Sequence, residues 1–293
     1  MFADTLARIG ALIQYALPHH LLSRAAGLIT RCRLGVVRRP LIRWFVRHYK
    51  VATDEAAEPE PTAYSSFQAF FTRALRDGAR PVCNAPNGIA CPADGTLSQK
   101  GRVDALPALE AKGHPFALEP LLGGSANRAA PFRSGCVATV YLAPHDYHRV
   151  HMPLDRTLRE MVAIPGRAFS VGPTTVRHIP GLFDRNERVV AIFDTPFGPM
   201  GLVLIGAMLV ATVGTTWAGT ITPPRSPGIT RWSYPAEGPA SIHLAQGAEM
   251  GWFNLGSTVV ALFAGAAAWD GPTPLPRTVA MGQCLGTITR PKA

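Results

Sequence analysis

The sequence predicts an α+β protein in which basic amphipathic N-terminal helices precede a mainly antiparallel β sandwich or barrel. Three observations carry this reading. Of a net charge of +10 over 293 residues, residues 1–50 hold nine Arg or Lys against Asp4 alone. From residue 79 onward, short apolar runs are split by turn formers, in a chain with 28 Gly and 27 Pro. No strand–helix alternation is visible there, which excludes a parallel doubly wound sheet.

The elements follow in order. Phe2, Leu6, Ile9, Ile13 and Leu17 recur at helical spacing, and Pro18 ends that run. A second helix is expected from Pro40, a good first helical residue, through "PLIRWFVRHYK", with Arg43, Arg47 and Lys50 on one stripe and Leu41, Trp44, Phe45 and Tyr49 on others. A basic helix with a Trp-bearing apolar side suits an anionic membrane surface better than a nucleic-acid groove, so no nucleic acid is expected as a partner. No apolar core followed by a small-residue cleavage site occurs in this stretch, so a secretory signal is not expected. The domain reading is a basic membrane-surface region over 1–52, an acidic, Pro-containing linker over 53–64, and a catalytic domain over 65–293. In "SSFQAFFTRALRDG", a Ser pair, then Phe67, Phe70, Phe71 and Leu75, then Gly78 mark a short helix. "GCVATVYLAP", "RVVAIFDTPFG", "GLVLIGAMLVATVG" and "STVVALFAG" are the clearest strands. The uncharged stretch 195–224 imitates a transmembrane segment, but its five Gly and its Thr and Val residues fit two or three buried strands instead.

The five cysteines, at 32, 83, 91, 136 and 284, are odd in number and lack CxxC spacing. Neither a disulfide framework nor a zinc site is indicated, and reduced thiols in a cytoplasm-facing, peripheral membrane protein fit best.

Three segments could carry chemistry. "YLAPHDYHRVHMP" holds His145, Asp146, His148, Arg149 and His151 after a strand, a spacing unlike common zinc motifs but compatible either with acid–base work or with a solvated loop. "CPADGTLSQKG" contains Asp94-Gly95, either a hairpin turn or a carboxylate that orients a histidine. "EMGWFNLGSTVVALF" places Gly256, Ser257 and Thr258 inside an apolar run, either as a bulge or as a reactive site. No GxSxG elbow surrounds Ser257.

Taken together, "FFTRALRDGARPV", "CPADGTLSQKG", "YLAPHDYHRVHMP", "WAGTITPPR" and "EMGWFNLGSTVVALF" resemble, in order and spacing, the bacterial phosphatidylserine decarboxylases. The resemblance runs from about residue 65 to the C-terminus and more loosely over the N-terminal helices. It implies self-cleavage between Gly256 and Ser257, leaving a large chain 1–256 and a small chain 257–293 that begins with a pyruvoyl group made from Ser257. It implies that His151 is the base for Ser257, that Asp94 holds the tautomer of His151, and that His148 reprotonates the product carbanion. The implied reaction converts phosphatidylserine to phosphatidylethanolamine through a Schiff base with the pyruvoyl group, in a homodimer, with no metal and no diffusible cofactor. One departure is Arg156 in "HMPLDRTL", where Gly is usual in the family; a positive φ there would strain the turn. A pyruvoyl decarboxylase of another amine, and a membrane-associated serine hydrolase using the same three residues, are the alternatives.

Overall fold

The computed structural model describes residues 26–106, 109–111, 114–166, 186–206, 212–221, 228–254, 257–271 and 274–290. The helix expected between Phe2 and Leu17 lies outside them.

At the N-terminal side, helix α1 (Gly35–Tyr49) ends at Lys50, whose left-handed backbone turns its N–H back to the Val46 carbonyl. It begins five residues before the expected Pro40 start. Pro40 sits inside the helix, where its missing N–H removes one backbone bond. Helix α2 (Phe67–Phe71) starts where Ser66 Oγ accepts the Ala69 N–H at 3.1 Å. Ile42 and Phe45, three apart on α1, bury against Phe67, Phe70 and Phe71 of α2 and form a small core of their own. The opposite side of α1 leaves Val36, Arg39, Arg43, Trp44 and Arg47 exposed. The 53–64 segment is fastened rather than free: Ala56 bridges Leu75, and Arg38 donates to the carbonyls of Thr62 and Tyr64.

The remaining elements are mostly strands: β1 (Gly88–Ala90), β2 (Gly95–Arg102), β3 (Leu109–Ala111), β4 (His114–Phe116), then helices α3 (Leu118–Leu121) and α4 (Ala126–Ala129), followed by β5 (Cys136–Leu142), β6 (Arg149–His151), β7 (Arg156–Ile164), β8 (Arg188–Asp194), β9 (Met200–Ile205), β10 (Val213–Thr215), β11 (Gly219–Thr220), β12 (Thr230–Ser233), β13 (His243–Leu244), β14 (Glu249–Phe253), β15 (Ser257–Phe263), β16 (Ala266–Trp269), β17 (Arg277–Val279) and β18 (Cys284–Thr289). The largest sheet has the order β12-β7-β8-β9-β15-β5-β2-β17, with β13 beside β7. A second sheet runs β11-β10-β14-β6 and a third β1-β18-β16, while β3 and β4 pair alone. Every strand pairing within these sheets is antiparallel.

One face of the large sheet packs on the two smaller ones. Leu97, Val140, Leu202 and Val259 share a core with Val150, Met250 and Phe253 of the second sheet and Ile89, Leu285 and Ile288 of the third. The other face is covered by Leu121, Leu122, Ala129 and Phe132 over Val137, Val190, Val203 and Val260. Strand β15 is therefore buried on both sides, which is why "STVVALF" is apolar without alternation. Each fully buried Val or Leu there contributes about 1.5–3 kcal/mol of hydrophobic stabilisation. Gly95 is needed where β2 crosses β5: a Cβ there, at φ +149, would lie 2.1 Å from the Tyr141 carbonyl oxygen.

The uncharged 195–224 stretch contributes β9, β10 and β11. Among the described residues, no helix is long and apolar enough to cross a membrane. Arg156 opens β7 and is absent from the non-Gly residues with positive φ, so its backbone carries no such strain; its guanidinium lies over the Phe197 ring.

The expectation of five thiols is corrected. Cys83 and Cys284 form a disulfide across 201 residues, leaving Cys32, Cys91 and Cys136 free. Cysteines so far apart give no spacing signal; the β1–β18 pairing and the Cys83 N–H to Gly282 carbonyl bond bring them together.

Candidate active site

Strand β5 ends at Leu142, opposite Ser257 at the head of β15. The chain then turns through 143–146, where Asp146 Oδ2 accepts the Ala143 N–H at 2.6 Å, and runs extended through His148 into β6. This segment therefore leaves β5 next to Ser257 and runs along β14, where the Phe253 N–H donates to the His148 carbonyl at 3.0 Å. Gly256 lies outside the described residues, and Ser257 is placed by its backbone.

His148 is fully buried, its ring centroid 4.1 Å from that of Phe71 on α2. Its Nδ1 lies 2.8 Å from the Asp146 carbonyl, a partner that only an N–H can satisfy. Nε2 therefore carries the lone pair, and it has no hydrogen-bond partner among the described residues. Burial, reinforced by the charge of Arg73, pushes this imidazole down to about 3, against a smaller upward pull from the Asp146 carbonyl.

His151 is held differently. Its Nδ1 donates to the Gly247 carbonyl at 2.8 Å, and its Nε2 lies 3.0 Å from the Tyr147 hydroxyl. Burial lowers its pKa, with the Gly247 carbonyl and the charges of Glu249 and Asp94 opposing. Arg149–His151 is a strand, and His148 precedes it in the connecting segment.

Asp94 is buried, and both carboxylate oxygens are held by Arg80: Nε to Oδ1 at 3.0 Å and a terminal nitrogen to Oδ2 at 2.6 Å. The Met281 N–H donates to Oδ1 at 2.7 Å, and Arg80 also pairs with Glu55 at 2.7 Å. The two carboxylates raise the Arg80 pKa, and Arg80 holds Glu55 below its usual range. The expected Asp94–His151 hydrogen bond is thus replaced by other partners: the Gly247 carbonyl sets the imidazole tautomer. Asp94 and His151 remain neighbours, since the His151 N–H donates to the Pro92 carbonyl at 2.8 Å and the Asp94 charge still acts on the imidazole.

The residues flanking 255–257 carry a further signature. Among the described residues, Asn254 Nδ2 and Thr258 Oγ1 are buried without hydrogen-bond partners, as are His148 Nε2 and Arg73 Nε. Buried polar atoms are ordinarily satisfied, and unsatisfied ones close in sequence to a candidate reactive residue suit a site that accommodates a polar group. Helix α2 lines the same place: Gln68 donates to Asn254 Oδ1 at 2.9 Å, and Arg149, paired with Glu249, donates to the Thr72 carbonyl at 2.9 Å.

Sequence reasoning missed Tyr147, Arg80, Phe71 and Arg73 as parts of this site. Tyr147 sits inside the quoted His motif and could have been included on that ground. The partnership of Arg80 with Asp94 leaves no local trace. Among the described residues, no group of His, Cys, Asp and Glu is arranged to hold a metal.

The fold is an antiparallel β protein with a buried His148 and a half-buried His151 on the segment after β5, and with Ser257 opening a core strand. The family model "Phosphatidylserine decarboxylase" matches residues 67–287, and one described as "PSD" matches 9–50. Relatives named phosphatidylserine decarboxylase proenzyme include those of Stutzerimonas stutzeri (52% identical, covering 95% of this chain and 94% of the relative) and Ectopseudomonas mendocina (52%, covering 95% and 98%). That of Shewanella halifaxensis is 50% identical over 94% of this chain and 97% of its own. The chain belongs to the phosphatidylserine decarboxylase family.

Proposed function

We propose that this chain is a proenzyme that cuts itself between Gly256 and Ser257 and then, as chains 1–256 and 257–293, converts phosphatidylserine to phosphatidylethanolamine. The observation that carries the reading is the position of Ser257, opening β15 beside the loop that bears His148 and His151. The family and the names of its relatives give the substrate.

The residues present fit a pyruvoyl group at position 257. It would begin a strand, and the buried Asn254 Nδ2 amide and Thr258 Oγ1 hydroxyl, without partners among the described residues, are donors available for its oxygens. Such a group would supply a carbonyl electron sink for loss of carbon dioxide.

Each side chain then has a task. His151, with Nδ1–H fixed on the Gly247 carbonyl, presents Nε2 as the base, and the Tyr147 hydroxyl is the donor that must yield before Nε2 can accept a proton from Ser257. Asp94, held by Arg80 and Met281, keeps negative charge near that imidazole and favours its protonated form. His148 begins neutral, so it acts first as a base at Nε2 and delivers a proton to the product only afterwards. The anionic headgroup favours the charged imidazole, drawing its pKa upward on binding. Phe71 and α2 exclude water from this exchange.

The same reading places the enzyme peripherally on the cytoplasmic face of the membrane, as a homodimer. Exposed Val36 and Trp44 beside Arg39, Arg43 and Arg47 support lipid rather than nucleic acid as the partner of α1. Because α1 packs on α2 and α2 touches His148, a lipid held at α1 has a short route to the site. The test is Ser257→Ala, which has no hydroxyl to start cleavage. It should give one inactive chain on a reducing gel where wild type gives two, and two chains in the variant would refute the cleavage site.

A further inference from the structure

We propose that the mature enzyme keeps its two chains covalently joined through Cys83–Cys284. This rests on the cleavage reading above, since Cys83 would belong to chain 1–256 and Cys284 to chain 257–293.

The backbone brings these cysteines together independently of their sulfurs. The Cys83 N–H donates to the Gly282 carbonyl at 2.8 Å, β1 pairs with β18 so that Ala90 lies opposite Cys284, and the two Cα atoms are 4.9 Å apart. That separation lies within the range a disulfide spans without backbone movement. The neighbourhood is shaped for the sulfur as well: a Cβ at Gly88 would lie 2.5 Å from Cys83 Sγ, so only glycine leaves room. The nearby Cys91 does not compete, because its thiol donates to the Ala93 carbonyl at 3.2 Å and burial pushes its pKa up to about 12.

The bond forms by exchange with a small-molecule disulfide such as oxidised glutathione. One cysteine thiolate attacks a sulfur of that disulfide and releases the first small thiolate. The second cysteine attacks the resulting mixed disulfide and releases the other. The two cysteines lose two electrons and two protons in all, and the small disulfide leaves as two thiols. Cytoplasmic thiol pools oppose such bonds. Against that, the folded backbone holds both sulfurs in place, Cys83 is 8% exposed and Cys284 is half-buried.

The tie has a consequence for the site. Residues Met281 to Cys284 fall in the small chain, and the Met281 N–H holds Asp94 of the large chain. Anchoring Cys284 keeps that donor against Asp94 after the peptide bond is cut.

The experiment uses purified mature enzyme equilibrated with oxidised glutathione, blocked with N-ethylmaleimide and run on denaturing gels with and without reductant. Reductant should show two chains, and its omission a single species containing both. Cys83→Ser should give two chains in either lane, while Cys32→Ser should behave as wild type. Wild-type chains that separate without reductant, with or without attached glutathione, would overturn the proposal. A single chain in the reducing lane would instead refute the cleavage reading. The tie is then read by peptide mapping, which supports it if peptides containing Cys83 and Cys284 are joined and overturns it if they are separate.

Discussion

His148→Asn is expected to remove about 2 kcal/mol of acid sensitivity between pH 7 and pH 5. The imidazole is fully buried against Phe71, one nitrogen is committed to the Asp146 carbonyl, and the other has no acceptor for a second proton. Its folded pKa is about 3, whereas a histidine in the unfolded chain titrates near about 6.5. The folded value is the lower one, so between these limits the unfolded chain binds more protons. Stability is therefore full above about pH 6.5, falls as the solution is acidified, and levels off near about pH 3. At pH 5 the solution is about 1.5 units below the unfolded value, and at about 1.4 kcal/mol per unit the loss is about 2 kcal/mol. Asn retains an N–H for the Asp146 carbonyl but does not titrate. The comparison belongs in a Ser257→Ala background at one fixed protein concentration, so that no cleaved chain separates and any dimer contribution is the same in both proteins. Urea unfolding at pH 7 and pH 5 supplies the numbers. His151, also lowered by burial, is present in both proteins and cancels from the difference. Equal losses in the two proteins would refute the burial argument for His148.

Other expectations follow from the same contacts. Arg80→Met leaves the buried Asp94 carboxylate with only the Met281 N–H, and breaking a largely buried ion pair costs about 3 kcal/mol, or about 6–12 °C in melting temperature for a domain of this size; a shift under about 2 °C in calorimetry would contradict it. Reversing Arg43 and Arg47 to Glu together with Trp44→Ser should abolish flotation with anionic vesicles while leaving Ile42 and Phe45 packed on α2; removing the whole helix would strip cover from Phe67, Phe70 and Phe71 and confuse the result. His151→Ala and Asp94→Asn should remain uncut, whereas His148→Ala should cut yet release carbon dioxide on the order of 10²–10⁴-fold more slowly, the usual cost of a missing general acid. A His148 variant that stays whole, or a His151 variant that matures normally, would overturn that division.

The strands were legible where burial on two faces wrote itself into composition. Within these strands, "VVALF" and "VVAIF" are apolar without alternation because both sides are covered. Ser66 was legible as a helix start because its hydroxyl caps the helix within three residues. The start of α1 was misplaced because Pro40 is compatible with a helix interior at the loss of one bond, so its presence did not mark the first turn. Within the site, the residue types were legible but their partners were not. Asp94 pairs with Arg80 rather than His151, and Gly247 rather than a carboxylate holds His151, because those choices depend on how β6, β14 and the 80–94 segment meet in space. The Cys83–Cys284 bond was hidden for the same reason.

The state of residue 257 decides whether this chain is a self-processing decarboxylase. Denatured, reduced enzyme measured by intact mass spectrometry should give two species, residues 1–256 ending in a free carboxylate and residues 257–293 beginning with a pyruvoyl group that reacts with a carbonyl reagent. The same preparation should release carbon dioxide from phosphatidylserine vesicles and lose that activity once the carbonyl reagent has reacted. A single unmodified chain that nevertheless decarboxylates the lipid would contradict the account.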